Sequence, residues 1–198
     1  MEQIKIEYLG HSCFRLTCGG QRIVLDPYAA GMIPGLPELK TEAEFVYCSH
    51  EHGDHNAVSC VKLLEGGKPK FAVTELLTDH DDVGGSKRGK NVIRIFDFGG
   101  IRVAHFGDLG RNLTEEEFKV LDGLDCALIP VGGFFTIDAA AAASIAKRLH
   151  PTTIIPMHYR TETVGFDVLA DIDDAMAAFD DTLNVVTLTY GGYAVIEK

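Results

Sequence analysis

The sequence predicts a single α+β domain in which two β-sheets pack back to back with helices outside them. Three observations carry this prediction: a length of 198 residues, β-rich pairs joined by Gly-Gly in both halves of the chain, and helical segments between those pairs. Gly-Gly allows the positive φ angles of tight hairpin turns. The predicted hairpins are 13–18 with 22–25, 92–98 with 101–106, and 185–190 with 193–196.

The remaining elements follow from local patterns along the chain. Short β-rich runs predict strands at 4–9, 45–48, 70–73, 126–130 and 153–156. Helices are predicted at 56–64, 114–121, 139–149 and 168–179. Asn56 is a favourable N-cap, and Thr114 with Glu117 forms a capping-box pattern. Asp138 opens an alanine-rich run that Pro151 stops. Because no linker separates these elements, we expect one domain over 1–198.

The charge balance argues against two classes of partner. With 29 acidic and 18 basic residues the formal charge is −11, which repels nucleic acids and anionic membranes. The chain has neither a secretion-signal pattern at its start nor a run of about 18 apolar residues. Five cysteines without a Cys-x-x-Cys pair do not indicate a disulfide framework. We expect a cytoplasmic protein with a small-molecule substrate, and the sequence leaves open whether it forms a homo-oligomer.

The segment 49–56 concentrates potential metal ligands. It reads Ser-His-Glu-His-Gly-Asp-His-Asn and directly follows the predicted strand 45–48. Its four donor side chains are His50, His52, Asp54 and His55. Imidazole and carboxylate groups suit Zn²⁺ and similar ions. The alternative is a solvated loop that happens to be rich in histidine. Four ligands within six residues favour a metal site, and their spacing offers two pairs for two neighbouring cations.

His50-x-His52-x-Asp54-His55 after a hydrophobic strand resembles the signature of the metallo-β-lactamase superfamily. Later segments agree in order: Thr-Asp-His-Asp at 78–81, Phe-Gly-Asp at 106–108 and Pro-Met-His-Tyr at 156–159. Leu-Gly-His-Ser-Cys-Phe at 9–14 and Leu-Asp-Pro at 25–27 resemble its small L-ascorbate-6-phosphate lactonase-like branch. The resemblance covers essentially the whole chain. It implies a four-layer αββα sandwich with the metals at one edge between the sheets.

The resemblance also implies a ligand set. His50, His52 and His80 would hold the first metal. Asp54, His55 and His158 would hold the second, and Asp108 would bridge the two. His105 is a competitor for the place of His80, although a hydrogen-bonded strand histidine is the favoured interpretation of it. Three residues are expected just outside the ligands, namely His11, Asp26 and His105, with Asp26 orienting a ligand imidazole or serving only as a turn residue.

Two further segments are candidates for the pocket. The loop 131–136 is expected to lie over the metals, where Phe134 or Phe135 would line the substrate site. The run Lys-Arg-Gly-Lys-Asn at 87–91 is the densest basic patch on an acidic chain. It would either meet a phosphate or carboxylate of the substrate or form a solvated loop, and the sequence favours the loop.

The implied chemistry is hydrolysis of an ester, lactone or phosphodiester. Two neighbouring divalent cations lower the pKa of a bridging water and polarise the bond under attack. Asp54 is the expected catalytic residue, because it could accept a proton from that water. Zinc is the default ion, with Mn²⁺ or Fe²⁺ as alternatives. Two other hypotheses stay open: an iron-dependent redox or oxygenase-type enzyme, and a metal-stabilised binding protein without turnover.

Overall fold

The computed structural model describes residues 3–198. The strands are β1 (Gln3–Gly10), β2 (Cys13–Cys18), β3 (Gln21–Leu25), β4 (Thr41–Ala43), β5 (Phe45–Tyr47), β6 (Val61–Leu63), β7 (Ala72–Asp79), β8 (Lys90–Asp97), β9 (Arg102–His105), β10 (Cys126–Pro130), β11 (Thr153–Met157) and β12 (Tyr193–Glu197). The helices are α1 (Glu115–Val120), α2 (Ala139–Leu149) and α3 (Ile172–Met176), with a short 3₁₀ turn at Val58–Cys60.

Two mixed five-stranded sheets form the centre of the fold. The first has the order β12-β1-β2-β3-β5, and the second has the order β11-β10-β9-β8-β7. The hairpins β2–β3 and β8–β9 pair antiparallel across their Gly-Gly turns, as the sequence predicts. A small parallel pair, β4–β6, accompanies them. The predicted pair of stacked sheets is therefore confirmed.

The main core lies between the two sheets. Alternate residues of the strands point into it, so that Ile4, Ile6, Phe14 and Leu16 from the first sheet share one buried cluster with Ile93 from the second. Burying each such side chain contributes roughly 1.5–3 kcal/mol. On the outer side of the second sheet, α2 packs against β10. A second buried cluster covers the outer face of the first sheet with side chains from 28–39, β4 and β6.

Two predicted helices with local capping signals form where expected. Thr114 accepts from the backbone N–H of Glu117, whose side chain accepts from the backbone N–H of Thr114, so the capping box of α1 is complete. Asp138 caps α2. His150 ends that helix with a positive φ of 47°. These boundaries are set within a few residues of chain, which explains why the sequence predicts them well.

Four sequence-based element predictions need correction. The segment 56–64 forms only the 3₁₀ turn, after which Val61 begins β6 and pairs with Thr41 of β4. The helix predicted at 168–179 shortens to α3. The segment 185–190 makes an isolated bridge to Ile154 instead of a strand, because β12 pairs with β1. The strand predicted at 70–73 is the longer β7, which pairs with β8 through Asp79.

The directions of the strands determine where the candidate site lies. In the first sheet β1, β3 and β5 run the same way, since two antiparallel steps join β1 to β3 and a parallel step joins β3 to β5. In the second sheet β7, β9, β10 and β11 share a direction for the same reason. The chain segments that follow these strands therefore meet at one edge of the sandwich. Within residues 3–198, none of the helices has the length and apolarity required to traverse a lipid bilayer.

The capping box of α1 is testable. Replacing Thr114 by alanine removes the hydroxyl that accepts from the Glu117 backbone N–H but keeps the Thr114 backbone N–H that donates to Glu117. We expect the free energy of unfolding to fall by about 1 kcal/mol. Urea denaturation followed by circular dichroism measures the change. The matched control is Thr152→Ala on an exposed threonine outside any helix. Equal stability of Thr114→Ala and the wild type would contradict the structural role of this cap.

Candidate metal centre

A buried carboxylate lies at the centre of a ring of histidines. Asp108 is 2% exposed, and four imidazole Nε2 atoms approach its Oδ2 atom. The distances are 3.2 Å from His158, 3.3 Å from His55, 3.3 Å from His80 and 3.9 Å from His50. These residues follow β5, β7, β9 and β11. Side chains separated by more than 100 positions in sequence thus converge on one oxygen atom.

Two groups of donor atoms adjoin Asp108, and a third, overlapping group joins Asp26 with His50 and His55. In one group, the donor atoms of His50, His52 and His80 all lie within 4.8 Å of one another. In the other, the donor atoms of His11, Asp54, His55 and His158 also lie within 4.8 Å of one another. The division matches the two ligand sets expected from the sequence, and the second group contains His11 in addition. Asp108 lies between the groups, where a bridging carboxylate is expected.

Unpartnered buried atoms mark the same place. His50 Nε2, His55 Nε2, Asp108 Oδ1 and both ring nitrogens of His11 are buried without a hydrogen-bond partner. A buried polar atom left unpaired costs about 1–3 kcal/mol, and native structures rarely leave several together. Imidazole nitrogens and carboxylate oxygens are ligands of Zn²⁺, Mn²⁺ and Fe²⁺. The residues present therefore fit bound divalent cations.

Burial keeps three histidines of the cluster neutral, namely His11, His50 and His80. Burial, with the neighbouring His55, lowers the pKa of His50 to about 3. Burial and the neighbouring His158 lower the pKa of His11 to about 4. The pKa of His80 is lowered by burial as well. A neutral imidazole offers a lone pair, which a metal ligand requires. His55 differs: burial opposes its protonation, but the carboxylates of Asp108 and Asp26 raise the pKa of His55 well above its ordinary value.

The two carboxylates of the cluster remain ionised. Burial by itself would raise the pKa of Asp108, but His158 and His55 hold that pKa well below its ordinary value. Burial likewise opposes ionisation of Asp54, and the contact with His11 together with the charge of His55 lowers the pKa of Asp54. The centre therefore presents two negative charges to a bound cation.

Asp26 holds two of the histidines in place. Its Oδ2 atom lies 2.8 Å from His55 Nδ1 and accepts from the Ser49 hydroxyl at 2.6 Å, while Oδ1 accepts from the Ser49 backbone N–H. The Ser49 hydroxyl lies 2.9 Å from His50 Nδ1. The contact expected between Asp26 and a candidate ligand imidazole is present, and it leaves the Nε2 atoms of both histidines facing Asp108.

His105 makes contacts that occupy both ring nitrogens. Its Nε2 atom donates to the Ser12 carbonyl at 2.9 Å, and its Nδ1 atom accepts from the Gly107 backbone N–H at 3.1 Å. No lone pair is left for a metal. His80 instead lies in the first donor group. The hydrogen bonds of His105 therefore favour His80 as the candidate ligand, which stays a prediction.

Three residues of the site, Ser49, Asn91 and Phe166, are not identified from the sequence. The Asn91 side-chain oxygen accepts from the Asp108 backbone N–H at 2.8 Å, and its amide donates to the Phe106 carbonyl and the Thr78 hydroxyl. Ser49 could have been noticed as the residue before His50. Asn91 carries no local signal, because its partners come from β7 and from the segment after β9.

Backbone strain is concentrated at the centre. Among residues 3–198, the non-glycine residues with positive φ are His11, Asp26, Phe134, His150 and His158. Three of the five, at φ 56°, 45° and 56°, belong to the site. Such conformations cost about 1–3 kcal/mol each for residues with a side chain. The packing around the site therefore holds His11, Asp26 and His158 in orientations that the free chain would avoid.

A cavity of about 240 Å³ opens onto the donor atoms. Its lining consists of His52, Asp54, His80, Arg88, Asp108, Phe135, His158 and Phe166. Phe135 is thus the aromatic residue of the loop 131–136 that reaches the cavity. Phe134 is 62% exposed and packs edge-on against Phe135. The cavity is small, which suits a small-molecule substrate.

Comparisons with known proteins agree with this geometry. A family model described as a beta-lactamase superfamily domain matches residues 5–158. A UPF0173 metal-dependent hydrolase of Thermococcus onnurineus is 27% identical, covering 95% of this chain and 97% of its own. A metallo-β-lactamase superfamily protein of Thermotoga maritima is 31% identical, covering 93% of this chain and 97% of its own with a TM-score of 0.72. CmlA, a diiron β-hydroxylase of Streptomyces venezuelae, shares only the fold, at 16% identity and a TM-score of 0.61; the match covers all of this chain and 55% of CmlA.

The role of Asp26 predicts a loss of metal affinity. Asp26→Asn keeps the shape of the side chain but removes the charge that orients His55, so we expect metal affinity to fall roughly 10–100-fold. Competition against a chromogenic chelator measures the affinity. Asp122→Asn, on an exposed aspartate that belongs neither to the donor groups nor to the cavity lining, is the control. An unchanged affinity in Asp26→Asn would contradict the orienting role.

His80 and His105 are the two candidates for the third histidine of the first donor group, and substituting each in turn gives a matched pair of variants. His80→Gln is expected to lose one of two bound cations, because it removes a donor atom of the first group. His105→Gln is expected to keep both cations, because neither ring nitrogen of His105 faces the cluster. Elemental analysis of the purified, metal-reconstituted variants gives the stoichiometry. The opposite pattern of losses would show that His105 is the ligand.

Proposed function

Because the chain belongs to the metallo-β-lactamase superfamily, we propose that it is a metal-dependent hydrolase with two divalent cations, acting on an ester, lactone or phosphodiester bond of a small substrate. The observation that carries the proposal is the convergence of four histidine Nε2 atoms on Asp108 Oδ2 with a donor group on either side. The hydrolase relatives support the reaction class.

In this proposal the ligands divide as the two donor groups do. His50, His52 and His80 would hold one cation, whereas Asp54, His55 and His158 would hold the other. Asp108 would contribute to both, and zinc is the proposed ion. Bound cations would supply Lewis acidity and an ionised water at neutral pH. The cytoplasmic location and the oligomeric state stay predictions.

Asp54 is the proposed proton acceptor. Its side chain is 20% exposed, whereas that of His55 is fully buried and that of Asp108 is 2% exposed. Its Oδ2 atom lies 3.6 Å from His11 Nε2 and 3.6 Å from His55 Nε2, and it lines the cavity. An ionised carboxylate that contacts both the cavity and buried imidazoles can accept a proton from an attacking water.

The aromatic side chains complete the substrate environment. Phe135 and Phe166 line the cavity and lie 6.0 Å apart, and Phe135 also approaches the His158 ring. Their apolar surfaces exclude bulk water from one side of the donor atoms, and a drier site strengthens electrostatic interactions. The pocket therefore combines one apolar wall with a polar floor.

The alternatives receive less support. CmlA is similar in fold alone, and this chain spans about half of its length, so its chemistry does not transfer through that likeness. A binding protein without turnover would not need a cavity that opens directly onto both donor groups. A hydrolase accounts for the cavity and for the relatives together.

The central experiment is reconstitution. Protein stripped with a chelator and reloaded separately with Zn²⁺, Mn²⁺ or Fe²⁺ is assayed on aryl esters, lactones and bis(4-nitrophenyl) phosphate. We expect hydrolysis only after reloading. Bound iron with a visible absorption band and no hydrolysis of any compound would favour redox chemistry instead.

Asp54→Asn tests the proposed proton acceptor. We expect kcat to fall at least about 100-fold, because general-base contributions are typically that large, and metal content to fall as well. Asp181→Asn, on an exposed aspartate, is the control. Steady-state kinetics and elemental analysis are run on the same samples. Full activity in Asp54→Asn would defeat its assignment as both ligand and base.

A further inference from the structure

The loop after β7 is held by a single buried carboxylate. The Asp81 side chain accepts four backbone N–H groups, from Val83, Gly85, Lys87 and Arg88, at 2.7–2.9 Å. Asp81 directly follows His80. The Arg88 backbone is therefore tied to the residue next to a candidate metal ligand, and its position does not depend on its own side chain.

Arg88 differs from the other arginines of the chain. Within residues 3–198, each of the other seven donates from its guanidinium to a carboxylate, a hydroxyl or a backbone carbonyl. The Arg88 guanidinium has no acceptor in the described chain. Its single recorded side-chain contact is with the Phe135 ring, 5.6 Å from the centroid. In a chain with 29 acidic residues, an arginine without a carboxylate partner is informative.

The other cations of the segment 87–91 are differently placed. Lys90 pairs with Asp79 at 2.5 Å. Lys87 is 62% exposed and lies 3.6 Å from Asp82. Only Arg88 of the three lines the cavity that opens onto the donor groups. Lys87 and Lys90 are thus exposed, as in the solvated loop that the sequence favours, whereas Arg88 between them lines the cavity.

We propose that Arg88 binds an anionic group of the substrate, a carboxylate or a phosphate, at the mouth of the metal cavity. The proposal rests on the hydrolase function proposed above and narrows its substrates to small anionic molecules. A guanidinium stacked on an aromatic face keeps its N–H edges free, and those edges match the two oxygens of a carboxylate or phosphate. The Asp81 hydrogen bonds preorganise the loop, which limits the entropy lost on binding.

Binding is measured by calorimetry on the zinc-loaded protein. The probes are phenyl phosphate and benzoate, with neutral benzamide as the reference. We expect Arg88→Gln to weaken binding of at least one anion roughly 10–100-fold, as for a lost charge-assisted contact, and Arg88→Lys to weaken it less. The anion with the larger loss identifies the class of group recognised.

Lys87→Gln is the matched control. It removes one positive charge from the neighbouring residue, whose side chain does not line the cavity. We expect its anion affinities to stay within about twofold of the wild type, since an exposed charge is screened. Equal losses in both variants would reduce the role of Arg88 to general charge and overturn the proposal. Unchanged affinity for both anions in Arg88→Gln would overturn it as well.

A second readout uses two esters that differ in one charge. Arg88→Gln should lower kcat/KM for mono-4-nitrophenyl succinate by roughly tenfold or more relative to its effect on neutral 4-nitrophenyl butyrate. An equal loss on both esters contradicts anion recognition. If the zinc-loaded wild type hydrolyses neither these esters nor the reconstitution panel, the hydrolase proposal fails, and calorimetry still decides whether Arg88 binds anions.

Discussion

The site depends on one buried anion shared by several imidazoles. Asp108 is buried, and four histidine Nε2 atoms lie within 3.9 Å of its Oδ2 atom. Isolated in a low-dielectric interior, such a carboxylate would be costly. Positive charge on the surrounding groups, or on cations held between them, compensates it. The ends of β5, β7, β9 and β11 are brought to one sandwich edge, and this brings the compensating groups together.

One nitrogen of His50 and one of His55 contact neighbouring side chains that hold the ring, and the other nitrogen of each is left free to bind a cation. Asp26 and Ser49 contact the Nδ1 atoms of His55 and His50, so the opposite nitrogens point inward. Asn91 fixes the backbone of Asp108. Positive φ angles at Asp26 and two site histidines show that local conformational preference is overridden there. A ligand cluster held this rigidly loses little entropy when a cation binds.

Substrate selection is built from a different part of the chain. The loop 80–90 is organised by Asp81, and beside Phe135 it presents an arginine whose guanidinium has no acceptor among residues 3–198. The reacting end of a substrate and its charged end would therefore meet separate elements. Such a division lets the loop vary while the donor groups stay constant, and fold relatives with one metal-site architecture can act on unlike molecules.

Local sequence patterns predict the stacked sheets, the capped helices α1 and α2, and the dense donor segment 50–55. Each of these patterns involves residues close together in the chain. The contacts of His105 follow from the folded chain instead, because Ser12, 93 positions away, occupies one of its nitrogens. The same holds for the partners of Asn91, the position of Arg88 and the pairing of β12 with β1. Those outcomes depend on which strands become neighbours in the sheets, and the local periodicity of the sequence does not determine the strand order.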